Sequence, residues 1–168
     1  MAELFDPVEM FRALDRHRVA YVVVGALGRV IEGSDELTDG LDIVPSAKEQ
    51  NLRRLELALE ELHARRADGG LVERLDDELS KPVLELTTGA GDLKIVREPA
   101  GTRGYDDLRR GARREPLGQG LRPQVASLGD HARMLSALGR EQDIDKLRTL
   151  RRLIELEHDL SRGRGLGR

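Results

Sequence analysis

The segment AYVVVG, residues 20–25, constrains the fold more than any other stretch of the chain. It is a continuous β-branched run of strand length that ends on glycine, which is typical of a buried strand in a parallel or mixed sheet. A second apolar run, LDIV at residues 41–44, is closed by Pro45 and predicts another strand. Because the turn-forming sequence GSDELTDG separates the two runs, we expect a sheet to form early in the chain.

An amphipathic helix is predicted on each side of this pair of strands. Asp6 can cap the first helix, which covers residues 7–16 and has proline at its first position. In the second helix, at residues 47–66, leucines recur three and four residues apart, and Ser46 is placed to cap it. Residues 27–31 can form a short helix between the two strands.

The second half of the chain predicts a β-hairpin followed by helices. Residues 83–87 alternate apolar and polar side chains, a TGAG turn follows, and residues 93–96 can form the partner strand. Ser127 can cap a helix that ends at Gly139, and a last helix is expected at about 143–160. This order predicts an α/β (α+β) domain with a mixed sheet of about four strands, helices covering one face, and a C-terminal helical segment from about residue 127.

Length and charge narrow the class of protein. A chain of 168 residues is expected to form one domain, over residues 1–160, and the segment 161–168, SRGRGLGR, is expected to be a disordered tail. The 28 Lys and Arg residues are offset by 31 Asp and Glu residues with the signs interleaved, which argues against a general polyanion binder. Only four of the basic residues are lysine, which is typical of a high-GC bacterial genome.

Residue types that are scarce or missing exclude several functions. Two Phe, two Tyr and no Trp leave few aromatic platforms for single-stranded nucleic acid. Without cysteine there is no disulfide, thiolate zinc site or cysteine nucleophile. No apolar stretch is long enough to span a membrane, and the acidic, amphipathic N-terminus differs from a signal peptide, so we expect a cytoplasmic protein with no membrane partner.

A series of short motifs resembles one known family. The motifs are a Gly-Ala pair at 25–26, TDGLDIVPS at 38–46, Asn-Leu at 51–52, GDLKIVREPAGTRGYDDL at 91–108 and VASLGDHARMLSALGREQDIDKL at 125–147. Together they resemble the nucleotidyltransferase fold, and in particular the bacterial abortive-infection nucleotidyltransferases, a group that includes toxins of toxin-antitoxin systems. The likeness covers roughly residues 20–155 and implies a metal-dependent nucleotide site.

The resemblance also implies where the metal ligands of that site would be. Nucleotidyl transfer needs two metal ions, and carboxylates at positions i and i+2 of a strand project from one face to hold them. The resemblance places the first carboxylate at Gly40, the second at Asp42 and a third at Lys94, so two of three ligands are missing. Asp42 is either a remaining metal ligand or a strand carboxylate paired with Lys94 or Arg29.

Other positions of the implied site are also changed. The resemblance places the phosphate turn at Gly25 and Ala26, with Arg29 on the helix beyond, and a nucleotide contact at Ser127 and Asp130. The alternative for Ser127 and Asp130 is an ordinary helix cap, and that for Arg29 is a solvated surface residue.

Three further positions disfavour a nucleotide, and the histidines suggest no metal site. Leu135 replaces a lysine that the family usually directs toward the nucleotide. Glu32 and Glu36 add negative charge where a triphosphate would approach. The four histidines have no spacing that suggests a zinc site, and solvated or capping roles are expected for them.

Three hypotheses follow. The first is a nucleotidyltransferase-like protein that has lost catalysis, needs no cofactor, and acts as a binding or regulatory module with a protein partner in a toxin-antitoxin or defence system. The second is an active enzyme that uses Mg²⁺ and a nucleoside triphosphate to transfer a nucleotide to RNA or protein through a rearranged site with Asp42 and Asp92, helped by Asp39. The third is an active enzyme from which the metal ligands were removed by engineering.

Overall fold

The computed structural model describes residues 4–165, and in that range seven strands form one sheet. The strands are β1 (Tyr21–Val24), β2 (Gly40–Pro45), β3 (Arg65–Arg66), β4 (Val83–Thr88), β5 (Gly91–Val96), β6 (Arg113–Arg114) and β7 (Gln124–Val125). The helices are α1 (Pro7–Arg16), α2 (Gly25–Ile31), α3 (Glu49–Glu61), α4 (Leu75–Glu78), α5 (Tyr105–Leu108), α6 (Leu128–Leu138) and α7 (Ile144–Gly165).

The sheet is mixed, with the strand order β3-β4-β5-β2-β1-β7-β6. β2 pairs antiparallel with β1 and parallel with β5, and β4 and β5 form the predicted hairpin. β1, β2, β4 and β5 correspond to the four predicted strands. The three additional strands have only two residues each, which is too short for an alternating sequence pattern to reveal them.

The larger core lies between one face of the sheet and helices α1 and α3. It is built from strand residues such as Ile43 and Leu93, and from Phe11 and Leu14 of α1 and Leu55 of α3. All five side chains are at most 1% exposed, which confirms the apolar faces predicted for both helices.

The second face of the sheet is also covered in part, so the prediction of helices on one face only is wrong. Val22, Val24 and Val44 pack against Leu108 of α5 and Met134 of α6. The reason is in β1, whose residues are buried on both sides and therefore need apolar neighbours above and below the sheet. α6 packs in turn against α7.

Three of the four predicted helix signals are confirmed. Asp6 and Ser127 each accept a hydrogen bond from the backbone N–H three residues later, at 3.2 and 3.0 Å. Gly139 ends α6 with φ of 62°, in the left-handed region that suits glycine. The prediction for Ser46 is wrong, because α3 starts later, with Lys48 at the N-cap and no side-chain cap.

Asn51 of α3 binds the backbone at the start of β1 and at the end of β2. Its side-chain amide donates to the carbonyls of Ala20, at 2.9 Å, and Ser46, at 2.8 Å, and its side-chain oxygen accepts from the Ala20 N–H at 2.7 Å. The side chain is buried, so these bonds fix the end of β2 beside the start of β1.

The last helix is longer than the sequence pattern predicts. α7 continues to Gly165, so residues 161–165, which were assigned to a disordered tail, are helical, and residues 166–168 lie outside the described range. The Ser161 hydroxyl donates to the Glu157 carbonyl at 3.0 Å, a bond that is compatible with a continuing helix. That residues 1–160 form a single domain stays a prediction. No helix within residues 4–165 is long and apolar enough to cross a membrane.

Candidate functional site

A cleft of about 830 Å³ opens on the second face of the sheet, where β2, β4 and β5 carry polar side chains. α2 and α6 form two of its walls, and segments around residues 66–68, 78–82 and 98–100 close the others. Its charged lining residues are five acids (Asp42, Asp68, Glu78, Glu85, Glu98) and five bases (Arg29, Arg66, Lys81, Lys94, Arg140). The formal charge of the lining is therefore zero when its single histidine is neutral.

Asp42 lies at the centre of the cleft floor, packed against Gly25. Gly25 has φ of +70°, and a Cβ added there would lie 2.8 Å from Cγ of Asp42 and still closer to its Oδ2. Glycine is thus required at position 25 both by the backbone conformation and by the approach of this carboxylate. Burial raises the pKa of Asp42, although the charges of Lys94 and Arg29 act in the opposite direction.

The predicted ion pair of Asp42 is wrong. Lys94 lies opposite Asp42 in the parallel pairing of β2 and β5, but its ammonium group pairs with Glu85 across the hairpin, at 3.7 Å. Arg29 binds Glu36 instead. Within residues 4–165, no hydrogen bond or ion pair is made by the Asp42 carboxylate.

Gly40 and Asp92 face each other in the same parallel pair of strands, two residues before Asp42 and Lys94. A Cβ added at Gly40 would lie 3.0 Å from the Asp92 carbonyl oxygen, which is closer than side chains normally tolerate. Asp92 itself is exposed and does not line the cleft. Asp39 precedes β2 and is exposed as well.

Arg29 is buried in a polar network, so the expectation of a solvated surface residue is wrong. Its guanidinium donates two hydrogen bonds to Glu36, at 2.8 and 2.9 Å, and both side chains are only 10% exposed. Ser34 donates to the same carboxylate at 2.9 Å, and Lys146 of α7 lies 3.9 Å away. Burial acts to raise the pKa of Glu36, but the bonds to Arg29 and Ser34 outweigh it and hold that pKa below its ordinary value.

This network connects α2 to the turn before α7. Lys146 also lies 3.7 Å from Asp143, a fully buried carboxylate that accepts two hydrogen bonds from Arg140 at 2.7 and 3.2 Å. The negative charge of Glu36 is therefore neutralised by the protein. For the same reason Arg29 is engaged and does not present a free guanidinium to the cleft.

His131 of α6 is buried in the wall of the cleft, so the solvated role expected for it is wrong. It is 1% exposed, both ring nitrogens lack a hydrogen-bond partner in the described structure, and its ring packs over Gly28 of α2. Burial, followed by the charge of Arg29, lowers the pKa of His131 to about 4, so the imidazole is neutral at pH 7. Its position was detectable, since it lies three residues after Leu128 and four before Leu135, on the apolar stripe of α6.

Ser127 and Asp130 do not line the cleft. Ser127 caps α6, and the Asp130 carboxylate pairs with Arg133 at 3.1 Å. Leu135, by contrast, lines the cleft together with Met134 and contributes an apolar surface where the resemblance implied a lysine. Of the predicted site residues, the structure brings together Gly25, Ala26, Arg29 and Asp42.

Similarity to known proteins is found at the level of structure. No family model matches the chain, and no curated protein is similar to it in sequence. Seven solved chains are similar in structure. One is the crystal structure of a candidate nucleotidyltransferase from Thermotoga maritima, with a TM-score of 0.55, 19% identity, and 92% of this chain and 97% of that one covered.

A second similar structure is the solution structure of the antibiotic-resistance factor ANT(2'')-Ia. The TM-score is 0.55 at 14% identity, with 94% of this chain and 90% of that one covered. The chain has a nucleotidyltransferase-like fold.

Such a fold implies a metal pair, and the residues of this chain do not fit one. Within residues 4–165, no three Asp, Glu, His or Cys side chains are placed to hold a metal ion together. Asp42 has glycine two residues before it and an ammonium group on the neighbouring strand. A lysine beside a divalent cation is repelled by it, at a cost of about 2 kcal/mol at 4 Å even in water, because the ion carries two charges.

Proposed function

We propose that this nucleotidyltransferase-like protein does not transfer nucleotides and uses the fold as a binding or regulatory module. The observation that carries the proposal is the strand register that sets Lys94 opposite Asp42. It puts a cation at the position where the resemblance implies a third metal-ligating carboxylate. The strand register supports the same conclusion, because Gly40 stands where the other carboxylate of an i, i+2 pair would project.

The electrostatics of the cleft support this function as well. A triphosphate is attracted by unpaired cations, whereas four of the five lining bases, Arg29, Arg66, Lys94 and Arg140, are each paired with a carboxylate. The α6 wall is apolar at Met134 and Leu135, a surface suited to an apolar group and not to phosphate.

The role we propose for this module is control of an active partner protein in a bacterial toxin-antitoxin or defence system. It rests on the resemblance of the sequence motifs to the abortive-infection nucleotidyltransferases. Val83 and Leu138, which line the cleft, are 42% and 47% exposed and offer an apolar contact to such a partner.

Calorimetric titration with ATP, CTP, GTP and UTP, each with Mg²⁺ or Mn²⁺, tests the loss of catalysis. We expect no saturable metal-dependent binding and no transfer of labelled nucleotide to the protein or to added RNA. Micromolar, metal-dependent binding would overturn the proposal in favour of an active enzyme working through Asp42 and Asp92. The variant Asp42→Asn is the matched control, because it must abolish any transfer that depends on the remaining carboxylate.

A further inference from the structure

A second, smaller pocket lies at the opposite end of β1 from the cleft. It has a volume of about 330 Å³ and shares no lining residue with the cleft. We call it the tyrosine pocket, and the residues that define it are Asp15, Arg18, Tyr21, Tyr105, Arg114 and Arg122. Both tyrosines of the chain lie in it.

Positive charge predominates in the tyrosine pocket. Arg18, Arg114 and Arg122 line it and form no ion pair with any residue of the described range, and Asp15 is the one acidic lining residue. Three guanidinium charges and one carboxylate leave a formal excess of two positive charges. The three arginines are exposed, and an anion bound among these like charges removes part of their mutual repulsion.

The fold holds these arginines in place through two short elements. Arg114 belongs to β6, opposite Gln124 of β7, and its Nη1 donates to the Arg122 carbonyl at 3.5 Å. Arg18 follows α1 with φ of 53°, an unusual conformation for a residue other than glycine, and its N–H donates to the Asp15 carbonyl at 3.0 Å. The three side chains thus come from separate parts of the chain.

Tyr21 lines the pocket, but its hydroxyl oxygen is closed to solvent. Tyr21 is 5% exposed, and its Oη has no hydrogen-bond partner among the described residues. Burial raises the pKa of Tyr21, the negative charge of Asp15 raises it further, and the charge of Arg114 opposes the change, so the hydroxyl remains a donor at neutral pH. Because this hydroxyl oxygen is inaccessible even to water, the ligand contacts of the pocket come from the arginine side chains.

We propose that the tyrosine pocket binds a phosphate monoester, with Arg18, Arg114 and Arg122 around the dianion. The charge of such a group, about −1.5 to −2 at pH 7, matches the excess charge of the pocket. Guanidinium groups bind phosphate oxygens through paired N–H donors. The volume lies at the lower end of the range for small-ligand sites, which suits a compact phosphorylated molecule.

Tyrosine fluorescence gives a direct measurement of this site. Because the chain has no tryptophan, its intrinsic emission comes from Tyr21 and Tyr105, and both lie in the pocket. We would titrate the full chain with inorganic phosphate, with ribose 5-phosphate and with acetate at constant ionic strength, and repeat the phosphate titration by calorimetry. We expect a saturable change with both phosphates and none with acetate.

Substitutions connect the signal to the proposed contacts. Arg114→Gln and Arg122→Gln are each expected to weaken phosphate binding at least tenfold, with circular dichroism unchanged. Arg151→Gln, at an exposed position of α7, is the matched control and should bind like the wild type.

Tighter binding of ribose 5-phosphate than of inorganic phosphate would identify an organic monoester as the ligand, and equal binding would identify free phosphate. Lack of saturation, or phosphate affinity equal to that of the wild type in both arginine variants, would overturn the proposal. The site is separate from the cleft, so neither result depends on whether the protein transfers nucleotides.

Discussion

Lys94 lies directly opposite Asp42 in the sheet, yet its ammonium group is bound to Glu85 on the other neighbouring strand. The three side chains form a row across β2, β5 and β4 on the floor of the cleft. In this row a single cation stands between two carboxylates. The row therefore places a positive charge directly opposite Asp42, which disfavours a divalent cation there.

Replacing Lys94 by aspartate should convert this row into a cation site. Lys94→Asp places a new carboxylate opposite Asp42, with Glu85 alongside, and carboxylate oxygens are the ligands that Mn²⁺ and Mg²⁺ prefer. We expect Mn²⁺ to bind the variant at least tenfold more tightly than the wild type, measured by electron paramagnetic resonance of the free ion. Lys81→Asp, which changes charge elsewhere in the cleft lining, is the control. Equal Mn²⁺ affinity in Lys94→Asp and the wild type would contradict this electrostatic account.

Gly25→Ala should destabilise the protein by about 2 to 4 kcal/mol, measured by urea unfolding. The backbone of the alanine would have to keep an unfavourable positive φ, and its methyl group would collide with the Asp42 carboxylate. Gly69→Ala separates the two causes, because Gly69 has φ of +85° and open space around its Cα. The double variant Gly25→Ala/Asp42→Ala should recover part of the loss, and strict additivity of the two substitutions would argue against a collision.

Asn51→Leu should lower the free energy of unfolding by about 2 to 4 kcal/mol, because buried backbone groups lose their partners. The Ala20 N–H and the Ser46 carbonyl each bind the Asn51 side chain, and leucine has similar size but no polar atoms. Gln50→Ala, at the exposed preceding position, is the control and should change stability little. A melting temperature for Asn51→Leu equal to that of Gln50→Ala would refute the proposed role.

His131→Met should stabilise the protein, and more so at acidic pH. The folded-state pKa of about 4 lies below the ordinary value of 6.5, so the unfolded chain takes up a proton first and wild-type stability falls as pH drops from 6.5 toward 4. Methionine removes this loss, and we expect the advantage of the variant to be about 2 kcal/mol larger at pH 5 than at pH 8. Urea unfolding at both pH values measures it, and His158→Met, at an exposed site on α7, is the control. An advantage that does not change with pH would mean that His131 titrates normally.

Periodic and local signals in the sequence predicted most of the framework. The α1 and α6 caps, the central strands and the hairpin follow from residue types at fixed spacings. The pairing of Glu85 with Lys94 could have been predicted too, because the short TGAG turn fixes the hairpin register and places these residues opposite each other. The prediction that Lys94 pairs with Asp42 overlooked this cross-strand neighbour.

The Arg29–Glu36 pair could not be predicted in the same way. Glu36 lies in the loop between α2 and β2, where no period indicates which way a side chain points. Its position depends on contacts with Ser34 and with Lys146 of α7, more than one hundred residues later in the chain. Burial of His131 depends likewise on the packing of α6 against α2, with Gly28 leaving room for the ring.

The close approach of β5 to Gly40 limits how this strand can change. A side chain at position 40 requires the Asp92 backbone to move away by a few tenths of an ångström. Gly40→Asp therefore has a steric cost that is present even without a bound metal ion. A carboxylate at this position must therefore wait for a compensating shift in the neighbouring strand. In a lineage that evolves by single substitutions, the packing of β2 against β5 therefore hinders the return of a carboxylate at position 40.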